Sequence, residues 1–322
     1  MDSEALRTRR EARRQETRRH RAQALGLIVA VALAILAIIL ASGSGGPPAR
    51  PPAAASSLRT HSGAAHAGHP ASTVSPGSAG GVPGSQPVPI LMYHVIAPPP
   101  PGAPFPGLYV PPEEFAAQMQ ALKQAGWHAV TLDQVEAYWK RGVPLGAGRP
   151  IVLTFDNGYQ SQYTQALPVL QRLGWVADEN IQLSGLPPSQ GGLGPAEISG
   201  LLAAGWELDT QGFSHADLIK LDAEQLNYQV AVARTTLQQR YHIAVNWFCY
   251  PSGHYDATVV AAVRAAGYSG STTVIPGWAH PADDPYRLAR LRVLGGTSPQ
   301  ALLAQLASAR EAAAAPSSYS GA

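Results

Sequence analysis

The chain holds one cysteine, Cys249, so no disulfide can form within it. Without that staple, a hydrophobic core has to supply the stability. Charged residues are sparse at 14%, against roughly 25% in an average soluble protein. No Gly-x-Gly-x-x-Gly stretch and no phosphate loop occurs, which argues against a nucleotide ligand. No fixed sequence period recurs, which excludes a solenoid or propeller. A basic surface is missing as well. From residue 88 onward there are 13 Lys plus Arg against 17 Asp plus Glu, a balance of −4, so nothing suggests a nucleic-acid face.

The cations that are present gather at the start. Residues 7–21 carry eight arginines, and the first 21 residues hold only four acids. Ala24 to Ala41 is then an uninterrupted apolar run of 18 residues. That length just crosses a hydrocarbon core of ~30 Å. The positive-inside rule keeps the basic tail, residues 1–23, in the cytoplasm and places everything after Ala41 outside. The expectation is an uncleaved single-pass signal anchor over residues 24–41, with an extracellular domain held at the cell membrane. The alternative is a cleaved signal peptide and a secreted domain. Against it stand a long basic segment, an apolar core longer than the usual ~7–15 residues, and a mediocre cleavage site at Ala41-Ser-Gly43.

Residues 42–87 are built from Ser, Gly, Pro and Ala and cannot bury enough apolar surface to fold. They read as a disordered tether spanning on the order of 40 Å. His61, His66 and His69 within it read as low-complexity usage rather than as a metal site. Residues 313–322 read as a second disordered tail.

Between them, residues 88–312 alternate strand and helix patterns. Val88 to Ile96, His128 to Leu132, Trp206 to Thr210, Asn246 to Tyr250, Tyr268 to Val274 and Arg290 to Leu294 read as strands. Pro112 to Ala125 has Phe115, Met119 and Leu122 three or four apart, proline at its start and Gly126 after it: an amphipathic helix. Further helices are expected over 133–141, 161–173, 195–204, 223–240, 257–266 and 299–309. Trp175 to Leu183 reads as a strand that Asp178-Glu-Asn180 interrupts. Such alternation implies an α/β fold with a parallel sheet or barrel.

The central stretch is Pro150-Ile-Val-Leu-Thr-Phe-Asp-Asn-Gly-Tyr159. Ile151, Val152 and Leu153 make a buried strand, and Asp156 and Asn157 sit where it emerges. Chemistry gathers at the carboxyl ends of strands in α/β folds. An aspartate there can be a general base, a metal ligand or the N-cap of the helix that follows. Polar groups also stand at strand ends in Trp206 to Leu218, Phe248 to Gly253 and Tyr286 to Val293. Cys249, beside apolar Phe248, reads as a buried, inert thiol.

Taken together, these motifs resemble the polysaccharide deacetylase family, the fourth family of carbohydrate esterases, over roughly residues 88–309. The family's Thr-Phe-Asp-Asp-Gly appears as Thr154-Phe-Asp-Asn-Gly158. Its His-Thr/Ser-x-Ser-His-Pro-Asp-Leu appears as Gln211-Gly-Phe-Ser-His-Ala-Asp-Leu218. Its Phe-x-Tyr-Pro-x-Gly is matched by Phe248 to Gly253, and its Arg-Ile-Arg-Val by Arg290 to Val293. Met92-Tyr-His-Val-Ile96 is similar to members acting on extracellular glucosamine polymers. The resemblance implies a distorted (β/α) barrel that hydrolyses N-acetyl groups on a polysaccharide containing N-acetylglucosamine. It also implies a divalent metal, usually zinc, that polarises the acetyl carbonyl and lowers the pKa of its bound water. Asp156 is then the base that takes the water's proton. His94, Tyr250, Pro251 and Arg290 are the expected substrate-groove residues.

The sequence departs from the family in its metal ligands. Asn157 replaces the second aspartate and Gln211 the first histidine, leaving His215 as the one usual ligand. Neutral amide oxygens bind zinc poorly. Asp209, two residues before Gln211, is a further candidate carboxylate ligand. The C-terminal Leu-His that often supplies the family's general acid is absent, and His254 and His280 are the nearest substitutes in sequence. The expected function is an extracellular, membrane-tethered deacetylase with a weakened metal site. The alternative is an inactive homologue that binds or scaffolds glycan.

Overall fold

The structure, a computed structural model, describes residues 81–184, 186 and 191–321. The expected cytoplasmic tail, the anchor over 24–41 and most of the tether lie outside the described residues. Among those described, no helix is long and apolar enough to cross a membrane.

Among the described residues, eight parallel strands form the frame: β1 (Ile90–Tyr93), β2 (Trp127–Val130), β3 (Arg149–Asn157), β4 (Asp178–Ile181), β5 (Glu207–Thr210), β6 (Trp247–Cys249), β7 (Gly270–Thr272) and β8 (Leu291–Arg292). Their order is β7-β6-β5-β4-β3-β1-β8, with β2 pairing β3. The sheet curls into a half-barrel. Its open side is crossed by the chain entering β8, where Leu288 N–H donates to Ser271 O and Arg290 N–H to Ile275 O. The alternation of strands and helices in the sequence therefore yields the parallel architecture it implies.

β3 is the longest strand and the centre of the sheet. Pro150 lies inside it rather than ahead of it. Arg149 N–H already points to Gly126 in the β2 direction, so the missing N–H of Pro150 faces the other side, one step before β1 begins to pair at Ile90↔Val152. Proline is tolerated there because no ladder bond is lost. Gly158 ends the strand at φ 86°, and a Cβ on it would meet Ile181 Cγ1 at 2.9 Å. Only glycine fits both constraints.

Side chains alternate across each strand. The outward set, Leu91, Tyr93, Leu153 and Phe155, packs under helix α1 (Pro112–Gln124), helix α3 (Leu167–Leu173) and the C-terminal helix α8 (Pro299–Ser308). The helix after β2, α2 (Leu132–Arg141), starts with a capping box on Thr131 and Gln134. α4 (Pro195–Ala203) follows β4. Then α5 (Ala223–Asn227) and α6 (Ala233–Tyr241) are joined by a π-helical turn, Tyr228–Val232, and α7 (Ala257–Ala265) follows β6. A second π turn, Gln162–Ala166, leads into α3.

Three expectations are corrected. Asp178-Glu-Asn180 does not interrupt a strand; it is β4 itself, tolerated because Asp178 and Asn180 face a polar barrel interior. The tether was expected to run to residue 87, yet Gly84 N–H donates to Tyr138 O, and Gln86 O accepts from Trp139 Nε1, so the folded part begins earlier. The C-terminal tail is also docked. Tyr319 pairs by its backbone with Tyr255, whose hydroxyl donates to Pro316 O.

Candidate active site

The register builds the site. Asp156 on β3, Asn180 on β4 and Asp209 on β5 are partners in one row, with Thr154, Asp178 and Glu207 in the row before it. Paired residues on parallel strands point to the same side, so both rows face inward.

Asp156 is 1% exposed and carries a dense set of donors. Arg290 grips it with two bonds, Nη1 to Oδ1 at 2.8 Å and Nη2 to Oδ2 at 2.9 Å. Asn180 Nδ2 donates to Oδ1 at 2.8 Å. The remaining Arg290 donors go to Thr154 Oγ1, Thr273 O and Cys249 Sγ, which engages the whole guanidinium. Burial alone would raise the Asp156 carboxyl, but the charge and hydrogen bonds of Arg290 outweigh it, and the pKa falls to about 2. Asp156 is therefore no helix cap. It is a fixed, ionised carboxylate at the end of the central strand. Gln162, in the π turn, donates to both His94 O and Asp156 O at 2.8 Å and so ties the ends of β1 and β3 together.

Above Asp156 opens a cleft of about 770 Å³. Its lining includes His94, Asp156, Asn157, Gln211, His215 and Tyr250. Six of the nine residues singled out in the sequence thus meet at one place. His94 Nε2 lies 3.9 Å from Asp156 Oδ2, beyond a direct hydrogen bond. Burial pushes the His94 ring down to about 4, against the pull of Asp156. Burial lowers His215 as well. Both rings are neutral near pH 7. The loop that presents Gln211 and His215 is held by Gln229, whose Oε1 accepts from Phe213 N–H and Ser214 N–H at 2.9 Å each. Asn157, His215 and Ser252, all at the cleft, have positive φ of 81°, 52° and 56°. Backbone strain of this kind concentrates where side chains must be aimed.

The other three expected residues stand elsewhere. Arg290 is 1% exposed and does not line the cleft, because Asp156 and its neighbours take all its donors; it positions the carboxylate rather than touching substrate. Pro251 is buried behind the wall. Asp209 turns away from Gln211. Its Oδ1 accepts from Trp247 N–H at 2.9 Å, and it gathers with Asp178 and Glu207, whose ligand oxygens all lie within 4.8 Å of one another. Burial raises all three carboxyls, Glu207 to about 8, and acidic neighbours add to it, Asp133 on Glu207 and Glu207 on Asp178 and Asp209. The two substitute histidines also lie outside the cleft. His254 binds Asp217 through Nδ1 at 3.0 Å, and His280 N–H donates to Asp283.

Sequence reasoning missed several cleft residues. Phe105, 68% exposed, sits with Leu108, Tyr159, Arg292 and Leu294 around the mouth. An exposed aromatic in a proline-rich loop was the available signal for Phe105. Cys249 is buried and raised to about 12 by desolvation, so the thiol is inert as expected, although it touches both Asp156 and Arg290.

Residues 146–271 match the family model described as Polysaccharide deacetylase. A Bacillus subtilis (strain 168) protein, YxkH, provisionally named a polysaccharide deacetylase, is 28% identical over 222 residues, covering 69% of this chain and 76% of that one. A polysaccharide deacetylase structure from Bacillus cereus aligns with TM-score 0.61 and 26% identity, over 69% of each chain. The poly-β-1,6-N-acetyl-D-glucosamine N-deacetylase of Escherichia coli (strain K12) is 40% identical over 60 residues, which is 19% of this chain and 9% of that protein.

Proposed function

The described domain belongs to the polysaccharide deacetylase family, and from that premise we propose that it removes N-acetyl groups from a cell-surface or cell-wall polysaccharide containing N-acetylglucosamine. The observation that carries this reading is the ionised Asp156, fixed by Arg290 and Asn180 at the floor of an open cleft. The name of the Escherichia coli relative supports the sugar. The N-terminal basic tail and apolar run support an extracellular domain tethered to the membrane.

Deacetylases of this family generally depend on a divalent metal. Here the residues at that position are His215 and the amides of Asn157 and Gln211, which bring one imidazole and no negative charge. Gln211 Oε1 is buried without a partner and so has capacity for a ligand. A donor set of this kind does not fit zinc, which takes thiolate, imidazole or carboxylate. We therefore read the site as weakened. What the chain's own residues supply is narrower. Asp156 accepts a proton from water, and the amide N–H groups of Asn157 and Gln211 can donate to the acetyl oxygen. A carboxyl near pKa 2 is a weak base, so slow turnover is expected.

That weakness, with the two replaced ligands, favours a second reading: a module that binds glycan without cleaving it. Acetate release from β-1,6- and β-1,4-linked N-acetylglucosamine oligomers, measured beside their affinity with and without added Zn²⁺, separates the two. Slow release that Asp156→Ala abolishes establishes the deacetylase. Binding without release selects the module. A folded chain that shows neither sinks both readings for these glycans.

A further inference from the structure

Asp178, Glu207 and Asp209 leave one side of the barrel interior full of acceptors. One oxygen of each carboxyl is held by a backbone N–H: Leu132 N–H on Asp178 Oδ1 at 2.9 Å, Asp133 N–H on Glu207 Oε2 at 3.1 Å, Trp247 N–H on Asp209 Oδ1 at 2.9 Å. The other oxygens, Asp178 Oδ2, Glu207 Oε1 and Asp209 Oδ2, are buried without a partner. A separate residue adds to them. Asn180 is 0% exposed and stands between Asp156 and Asp209 in its row. Its Nδ2 faces Asp156, which turns its Oδ1 toward the Asp209 side, and that oxygen is also buried and unpartnered. No lysine or arginine pairs with any of the three carboxyls among the described residues.

We infer that Asp178, Glu207 and Asp209, with the amide oxygen of Asn180, form a binding site for a hard divalent cation, separate from the cleft. Buried acceptors need donors or a cation; the Thr131 hydroxyl reaches Glu207, but no lysine or arginine reaches the cluster, and a cation can take the place of the protons the carboxyls otherwise share. Ca²⁺ and similar ions bind all-oxygen sets at about 2.3–2.6 Å, so two oxygens on opposite sides of such an ion stand about 5 Å apart. Each of the three carboxyls offers an oxygen within 4.8 Å of the others, a spread that fits such an ion. The site explains why β4 carries Asp178 and Asn180 where apolar residues were expected. It also means that metal found in this protein need not sit in the cleft.

The test uses the full chain, stripped with a chelator and titrated with Mn²⁺ while free Mn²⁺ is followed by electron paramagnetic resonance. One Mn²⁺ per chain is expected, displaced by Ca²⁺. Binding should survive His215→Ala and weaken by about tenfold or more in Glu207→Gln. The reverse pattern would overturn the inference, since it puts the ion in the cleft. Failure of the folded wild-type chain to bind Mn²⁺ or Ca²⁺ at millimolar concentration would overturn it equally, leaving three carboxyls that share protons. Should Glu207→Gln not fold, Asp178→Asn and Asn180→Ala are read in the same way. The thermal midpoint of the wild-type chain must then rise with Ca²⁺.

Discussion

Asp156 and the trio of Asp178, Glu207 and Asp209 are carboxyls of one barrel interior, and they are held in opposite states. Asp156 at 1% exposed is about as buried as Asp178 and Asp209 at 0%. Burial therefore does not separate them. Donors do. Asp156 receives two bonds from Arg290 and one from Asn180, and falls to about 2. Each member of the trio has one backbone N–H and acidic neighbours, and all three rise. A buried carboxylate at a strand end becomes a working anion only when the fold delivers a cation to it, and here the chain entering β8 delivers Arg290.

The largest break in that contrast comes from Arg290→Met. Removing one partner of a buried, hydrogen-bonded pair leaves an uncompensated charge and costs about 3–5 kcal/mol. Urea unfolding at pH 7 measures it, and a loss below ~1 kcal/mol would mean that the pair is not what holds Asp156 ionised. The pair also sets an acid limb. Because the folded pKa of Asp156 lies below its unfolded value of ~3.9, its stabilisation is complete above that value and is lost as pH falls toward about 2. In Arg290→Met burial is no longer outweighed, the folded pKa of Asp156 rises, and this limb should be lost.

Asp156→Asn tests the other partner and acts on chemistry first. If Asp156 is the base, acetate release should fall by about 10²–10⁴-fold. The folded midpoint should change less than in Arg290→Met, because the uncompensated group is then a guanidinium that keeps Thr154, Thr273 and Cys249 as partners. Next comes the pair Asn157→Asp and Gln211→His, which returns the two usual ligands to the cleft. Zn²⁺-dependent acetate release should rise by at least about 10–100-fold, the scale on which even supporting groups tune such sites. An unchanged rate with Zn²⁺ bound would show that the limit lies elsewhere, and the weak base is the first suspect.

How much of this was legible beforehand follows the same division. The strand carrying Asp156 announced itself through Ile151 to Leu153 and the turn at Gly158, and local pattern suffices for such elements. His94, Gln211 and His215 were found by their place at strand ends and by resemblance. β4 was misjudged because apolar periodicity assumes an apolar interior, and Asp178 and Asn180 line a polar one. Arg290 was given to the substrate groove through its place in the Arg-Ile-Arg-Val motif of the resemblance. That β8 reaches back beneath Asp156 is a fact of long-range register, 134 residues away in sequence, and no local pattern encodes it. Asp209 sits two positions from Gln211, a spacing that within a strand would put both side chains on the same face. Their divergence arises because β5 ends at Thr210 and the chain then turns at Gly212, φ 84°.

Asn180→Leu is the smallest of these perturbations and the one that touches both groups. Leucine keeps the branched outline but removes the donor on Asp156 Oδ1 and the unpartnered amide oxygen. Losing a hydrogen bond to a charged group costs about 1.5–3 kcal/mol, and removing an orphaned buried acceptor returns part of it. The net loss should therefore be only about 1 kcal/mol in urea unfolding without added metal. With Ca²⁺ present the same substitution should cost more, since an oxygen ligand is then missing from the cation. A loss that is identical with and without Ca²⁺ would mean that Asn180 serves Asp156 alone. The two groups would then share a barrel but no residue.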